Sequence, residues 1–173
     1  MEKRKDALVF VGKDFEEMDN KSYDYYEGSV FQAEFRKHGT SMLKIISKSK
    51  KDLLVLNIKK PEYGIQKDKR MKKAIDYSVN FGAKIVNMSF GVSDSTGKVL
   101  EEAINVYPEV LFVTAAGNYE GRSKLVSERD LKINPIYPAI IKAKTHLTVA
   151  NLNSDNESLS NTSYFNNKIV EIG

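Results

Sequence analysis

The stretch VLFVTAAGN, residues 110–118, runs from unbroken apolar sequence straight into a turn of small residues. Val110 to Thr114 carry no charge, which is typical of a strand buried in a parallel sheet rather than of one that alternates between core and solvent. Ala115 to Gly117 then remove side-chain bulk where the strand ends, and a glycine followed by Asn118 favours a turn. We therefore predict a buried strand with an asparagine amide at its carboxyl end.

Strand and helix patterns alternate along the rest of the chain. Further strands are predicted at Ala7–Val11, Asp52–Ile58, Lys84–Gly91, Leu147–Ala150 and Lys168–Ile172. Helices are predicted from His38–Ser41 onward, around Met71–Val79 with a left-handed cap at Gly82, and around Val99–Ile104. Residues 14–37 predict a long loop with at most a short strand near Val30. This order predicts an α/β fold, a doubly wound and mainly parallel sheet in a three-layer α/β/α arrangement, as one domain over residues 1–173.

The composition restricts both chemistry and location. The 173 residues include no cysteine and only two histidines, which excludes disulfides and leaves too few ligands for a typical zinc site. No cofactor and no metal is predicted. No segment approaches the roughly 20 apolar residues of a membrane span, and the first apolar run is too short for a signal peptide. The sequence therefore predicts a cytoplasmic protein with no membrane partner.

The net charge of +4 comes with two lysine-rich regions, Lys48–Lys51 and Lys59–Lys73. Acidic residues interleave with these lysines, and both regions adjoin predicted helices. A solvated surface explains them better than a nucleic-acid interface. No nucleic-acid partner is predicted, and the sequence gives no oligomeric state.

Two segments fit the two halves of an acyl-transfer site. His38 supplies an imidazole that can act as a general base, and Asn118 supplies an amide that can donate to a developing oxyanion. Taken singly, His38 could equally cap a helix and Asn118 could equally occupy a left-handed turn. His146 opens a predicted strand and is interpreted as structural. The oxygen-rich segment Asn151–Asn156 is explained by turn chemistry as well as by calcium, since it contains a single carboxylate.

Four segments, taken in order, resemble the subtilisin-like serine proteases (peptidase S8 type). They are His38-Gly39-Thr40, the segment IVNMSFG at Ile85–Gly91, the segment VTAAGN at Val113–Asn118, and Tyr137-Pro138-Ala139. In that family the first three correspond to the catalytic-histidine motif, the substrate-binding strand and the oxyanion-hole segment. The fourth resembles the family in its order and spacing along the chain. The likeness runs from about Gly12 to Gly173.

The resemblance implies a role for each matching residue. His38 would exchange protons with the nucleophile and the leaving amine, and the Asn118 amide would hydrogen-bond the oxyanion. Ser89, Phe90 and Gly91 would pair through their backbone with an extended peptide or protein substrate. Ala115, Ala116 and Gly117 would form one wall of the pocket for the residue before the scissile bond.

The nucleophile of the family has no counterpart in this pattern. In the family it lies in a Gly-Thr-Ser-Met motif downstream of the oxyanion segment, whereas the only such motif here, Gly39–Met42, directly follows His38. We interpret the chain as a truncated or degenerate serine endopeptidase, whose complete form would hydrolyse peptide bonds by a Ser/His/Asp mechanism. The alternative is a non-catalytic peptide-binding module, a pseudoenzyme that keeps the substrate strand. The sequence leaves open whether the chain is itself an enzyme.

The catalytic aspartate has two readings. If Ala7–Val11 is the family's first central strand, Asp14 lies at its end and would orient His38. If Gly12-Lys13-Asp14-Phe15 instead matches the second strand and its loop, the aspartate-bearing strand is not present. Asp14 is retained as the candidate, although its spacing of 24 residues from His38 is short for the family.

Overall fold

A computed structural model describes residues 9–14, 38–49, 54–59, 67–119, 125–155 and 157–171. The chain divides into two compact units, residues 1–74 and 75–173, and each unit is described by itself. The loop predicted after Asp14, with its short strand near Val30, lies outside the described residues.

The first unit contains a β-α-β segment. Strand β1 covers Val9–Asp14, helix α1 covers His38–Ser49, and strand β2 covers Leu54–Lys59. β1 and β2 pair in parallel, with Val9 opposite Leu54 and Asp14 opposite Lys59. The helix that we predicted from His38 is confirmed. The first strand was predicted to end at Val11, but the parallel pairing continues through Gly12 to Asp14.

Helix α2, Lys67–Asn80, begins in the first unit and ends in the second. Its buried positions are Met71, Ala74, Ile75 and Ser78, a spacing that places them on one face of the helix. After the helix, Gly82 has a φ of +99°. This is the left-handed conformation that the glycine predicted, and it ends the helix.

The second unit contains a sheet of three parallel strands. Strand β3 covers Ile85–Met88, helix α3 covers Asp94–Asn105, strand β4 covers Leu111–Ala115 and strand β5 covers His146–Val149. The strand order is β3-β4-β5. Parallel strands joined by helices confirm the α/β class. None of the helices that the structure describes is long and apolar enough to cross a membrane.

The two faces of this sheet differ in burial. On one face Met88, Phe112, Thr114 and Thr148 are buried. On the other face Ile85 is 64% exposed and its partner Leu111 is 37% exposed. Strands β3 and β4 are therefore less completely buried at their first residues than their continuous apolar sequence suggested.

The strand predicted at Lys168–Ile172 is wrong for the residues described there, because Asn166 starts a turn instead. The Asn166 carbonyl accepts from the N–H groups of Ile169 and Val170, and its side chain accepts from Lys168 N. Asparagine side chains compete with strand pairing in this way. Glu171 then contacts β5, where its N–H donates to Thr148 O at 3.1 Å and its carboxylate accepts from Thr148 N at 2.7 Å.

Candidate peptide-binding and oxyanion site

The turn after β4 is held by backbone hydrogen bonds on both sides. Ala115 is the last residue of the strand, and Ala116 N donates to Val149 O at 2.8 Å. Gly117 has a φ of +100°, and its carbonyl accepts from Tyr164 N at 3.1 Å. This backbone conformation is accessible to glycine with little strain. The predicted small-residue turn is present at the carboxyl end of β4.

Asn118 is fixed through its own backbone. It forms an antiparallel bridge with Ser163, and the next residue donates from Tyr119 N to Thr162 O at 2.7 Å. Asn118 is an exposed residue. An accessible amide carried by a backbone that is held in place is one requirement of an oxyanion donor.

Ser89, Phe90 and Gly91 follow β3 rather than continue it. The strand was predicted to reach Gly91, but Phe90 N turns back and donates to Met88 O at 2.9 Å. That short turn ends the ladder with β4. The chain then pairs with a different segment, as Val92 N donates to Tyr137 O at 2.9 Å. Gly91 itself is exposed.

Ile136 links the two predicted site segments, and sequence reasoning missed it. Its Cγ2 atom lies 3.7 Å from the position a Cβ would take on Gly91. Its Cδ1 atom lies 3.3 Å from the equivalent position on Gly117. The segment after β3 and the turn after β4 therefore share one side chain as a wall. The one indication in the sequence was that Ile136 directly precedes Tyr137-Pro138-Ala139. No local pattern indicated that its side chain lies near Gly91 and Gly117.

An open cavity of about 470 Å³ adjoins this wall. The described residues that line it are Tyr119, Glu128, Asn134, Pro135, Ile136 and Tyr164. The Tyr119 hydroxyl donates to the Glu128 carboxylate, and the Tyr119 and Tyr164 rings meet edge to face with centroids 5.8 Å apart. The cavity thus combines aromatic walls with one carboxylate.

The 3-10 helix Val126–Arg129 positions that carboxylate and also supports the Asn118 turn. Arg129 Nη1 donates to Ser160 O at 2.8 Å and to Ser163 O at 3.3 Å, and its guanidinium lies 5.6 Å from the centre of the Phe165 ring. Ser163 is the residue that pairs with Asn118. The guanidinium therefore stabilises the strand-like segment opposite the oxyanion candidate.

His146 is a structural residue, as its sequence context predicted. It is the first residue of β5 and is 8% exposed. Its Nε2 lies 3.1 Å from Thr114 Oγ1, and Thr148 donates to Ala139 O at 2.8 Å within the same buried group of hydroxyls. Burial lowers the pKa of His146, against the opposing effects of the Glu171 carboxylate and a hydrogen bond to the Ile141 backbone.

We expect stability to fall as the pH is lowered through the titration of His146. Its pKa is depressed in the folded state, so below about 6.5 the unfolded chain binds a proton that the folded chain resists. The loss should begin near the ordinary histidine pKa and level off below the depressed value. Urea unfolding at a series of pH values measures it, with His146→Asn as the comparison. If the free energy of unfolding depends on pH in the same way in the His146→Asn variant, the effect comes from another titrating group.

His38 and Asp14 belong to the first unit. His38 is the first residue of α1 and is exposed. Asp14 is the last residue of β1. The aspartate therefore stands at the carboxyl end of a parallel strand, where sites form in α/β folds. Its pairing with His38 stays a prediction.

The oxygen-rich segment after β5 is organised around a turn. The Asp155 carboxylate accepts from Glu157 N, Ser158 N and Ser158 Oγ, the last at 2.6 Å. The Ser158 hydroxyl and these N–H groups lower the pKa of Asp155 to about 2. Within the described ranges, no group of three or more histidine, aspartate or glutamate residues is placed to hold a metal ion.

The parallel strands, the glycine turn after β4 and the exposed Asn118 agree with the arrangement that the resemblance to subtilisin-like proteases predicted. Residues 9–172 match the subtilase family, and the chain belongs to that family. Among curated proteins, no relative matches this chain.

Solved structures confirm the subtilisin-like three-layer fold. A lanthipeptide protease is 19% identical with a TM-score of 0.50, over 90% of this chain and 50% of its own. The epidermin leader peptide processing serine protease from Staphylococcus aureus is 20% identical with a TM-score of 0.52, over 70% and 34%. The protease MycP1, solved with its N-terminal propeptide removed, is 18% identical with a TM-score of 0.52, over 90% and 59%. This chain therefore spans from about a third to three fifths of their length.

Proposed function

We propose that this chain binds extended peptides along Ser89-Phe90-Gly91 as part of the peptide-bond hydrolysis of a subtilisin-like serine endopeptidase. The observation that carries the proposal is Ile136, whose side chain lies within 4 Å of the positions that a Cβ would take on Gly91 and on Gly117. This proximity supports a peptide segment and an oxyanion turn that share one wall. A scissile carbonyl held by the first would then lie beside the second.

Each candidate residue has one chemical task in this proposal. The backbone after β3 would hold the peptide by main-chain hydrogen bonds, and the Asn118 amide would donate to the oxyanion of the tetrahedral intermediate. His38 would take the proton of the nucleophile and return it to the leaving amine, while Asp14 would orient its imidazole. The proposal assigns no nucleophile within these 173 residues, because the one Gly-Thr-Ser-Met segment is part of the histidine motif.

We expect Gly91→Val to weaken peptide binding at least about tenfold, because a β-branched side chain would occupy the space through which a second backbone approaches. The fold should remain, since a Cβ on Gly91 would stand at ordinary contact distances, 3.7 Å from Ile136 and 3.9 Å from Tyr137 O. Fluorescence titration of the 173-residue chain with extended, unstructured peptides measures the affinity, and thermal melting checks the fold.

His38→Ala is the matched control for this measurement. A general base contributes to proton transfer and hardly at all to ground-state binding, so its removal should leave the affinity unchanged. Equal affinity of the Gly91→Val variant, or no binding by a well-folded wild-type chain, would overturn the proposed peptide site.

A further inference from the structure

We infer that the cavity beside Gly117 binds a basic side chain, lysine or arginine, of the bound peptide, with Glu128 as the specificity-determining residue. The inference rests on the proposed peptide site and extends it to a class of substrate. Its starting point is the position of Ile136, which lies within 4 Å of the positions that a Cβ would take on Gly91 and Gly117 and also lines the cavity. A side chain that leaves a peptide held at Gly91 therefore meets the cavity along the Ile136 wall.

Among the described residues that line the cavity, the charge comes from Glu128. It is the one carboxylate among them, and they include no lysine or arginine. Its nearest cationic neighbour in sequence, Arg129, bonds instead to the carbonyls of Ser160 and Ser163. The carboxylate accepts from the Tyr119 hydroxyl, and two carboxylate oxygens together offer about four acceptor positions. Glu128 therefore retains acceptor capacity for a cationic ligand.

The walls of the cavity suit the stem of a long basic side chain. Tyr119 and Tyr164 present aromatic rings at right angles, with an interplanar angle of 79°, and Pro135 and Ile136 add aliphatic surface. Lysine and arginine bury their methylene groups against such surface and keep the charged group at its polar end. Aromatic rings add a further attraction for the cation.

Other classes of side chain fit this cavity less well. An acidic side chain would meet the Glu128 carboxylate and be repelled. A purely apolar side chain would fill the aromatic part but would desolvate that carboxylate without supplying a partner.

The test uses three labelled, end-blocked peptides that are otherwise uncharged and differ at one central residue, which is arginine, leucine or glutamate. Titrated into the whole 173-residue chain, the arginine peptide should bind about fivefold more tightly than the leucine peptide, as for a partly exposed ion pair. The glutamate peptide should bind most weakly. Raising the salt concentration should reduce the difference between the arginine and leucine peptides.

Two variants assign that preference to Glu128. Glu128→Gln should give the arginine and leucine peptides equal affinity, and Glu128→Lys should make the glutamate peptide the tightest of the three. Glu109→Gln, an exposed position that does not line the cavity, should retain the wild-type order. Binding of all three peptides with equal affinity would overturn this inference and leave the peptide site standing. Binding of none would overturn both.

Discussion

Phe112→Ala is expected to lower the free energy of unfolding by about 3–5 kcal/mol, the usual cost of removing a buried phenylalanine side chain. Phe112 has 0% exposure and lies on the central strand β4, on the face that also buries Met88 and Thr148. The loss combines the transfer of the ring with the cavity it leaves, since close-packed neighbours relax only in part. Urea unfolding followed by circular dichroism measures it.

Leu111→Ala is the control, because it changes the preceding residue on the same strand and faces the other way. Leu111 is 37% exposed, so its truncation removes less buried area and should cost about 1–2 kcal/mol. Domains of this size are stable by about 5–15 kcal/mol, so the loss expected for Phe112→Ala is a large share of the total. Because β4 leads into the turn at Asn118, this variant should also bind peptides more weakly. Equal costs for the two variants would contradict the burial that the structure assigns to this strand.

The arrangement of the elements followed from periodicity in the sequence. Unbroken apolar runs predicted β4 and β5, and the helical spacing of Met71, Ala74 and Ile75 predicted α2 with its glycine cap. Such patterns arise because one face of each element is buried, and they lie within one short segment. They can therefore be recognised in a single sequence. The strand predicted at Lys168–Ile172 was wrong, because the Asn166 side chain offered the backbone a competing set of hydrogen bonds.

The candidate site was predictable only in part. Small residues before Asn118 indicated the oxyanion turn, because glycine permits its positive φ. Ile136 and Glu128 were not predicted, since their significance depends on tertiary packing. Ile136 matters through its approach to Gly91, which is distant in sequence, and Glu128 accepts a hydrogen bond from the Tyr119 hydroxyl. Such contacts leave no periodic trace in a single sequence.

Gly97→Ala is expected to destabilise the second unit by about 3 kcal/mol or more, the upper end of the usual cost of overpacking. A Cβ on Gly97, in helix α3, would lie 2.0 Å from Cγ and 2.5 Å from Cβ of Tyr137. Helix propensity alone would favour alanine by about 1 kcal/mol, but the overlap involves the rigid root of a side chain and therefore dominates. Chemical unfolding of the variant measures the net effect.

The same substitution should also abolish peptide binding, because displacing Tyr137 would disturb the proposed peptide site. Its carbonyl accepts from Val92 N, and its neighbour Ile136 forms the wall shared by Gly91 and Gly117. Gly82→Ala is the matched control, since Gly82 has a φ of +99° but no described atom within 4 Å of its Cβ position. That variant should lose only about 1–2 kcal/mol to backbone strain and should bind peptides normally. If Gly97→Ala is as stable as the wild type and still binds peptide, α3 does not pack on Tyr137 as described. The position of Ile136, on which the proposed site depends, would then be wrong as well.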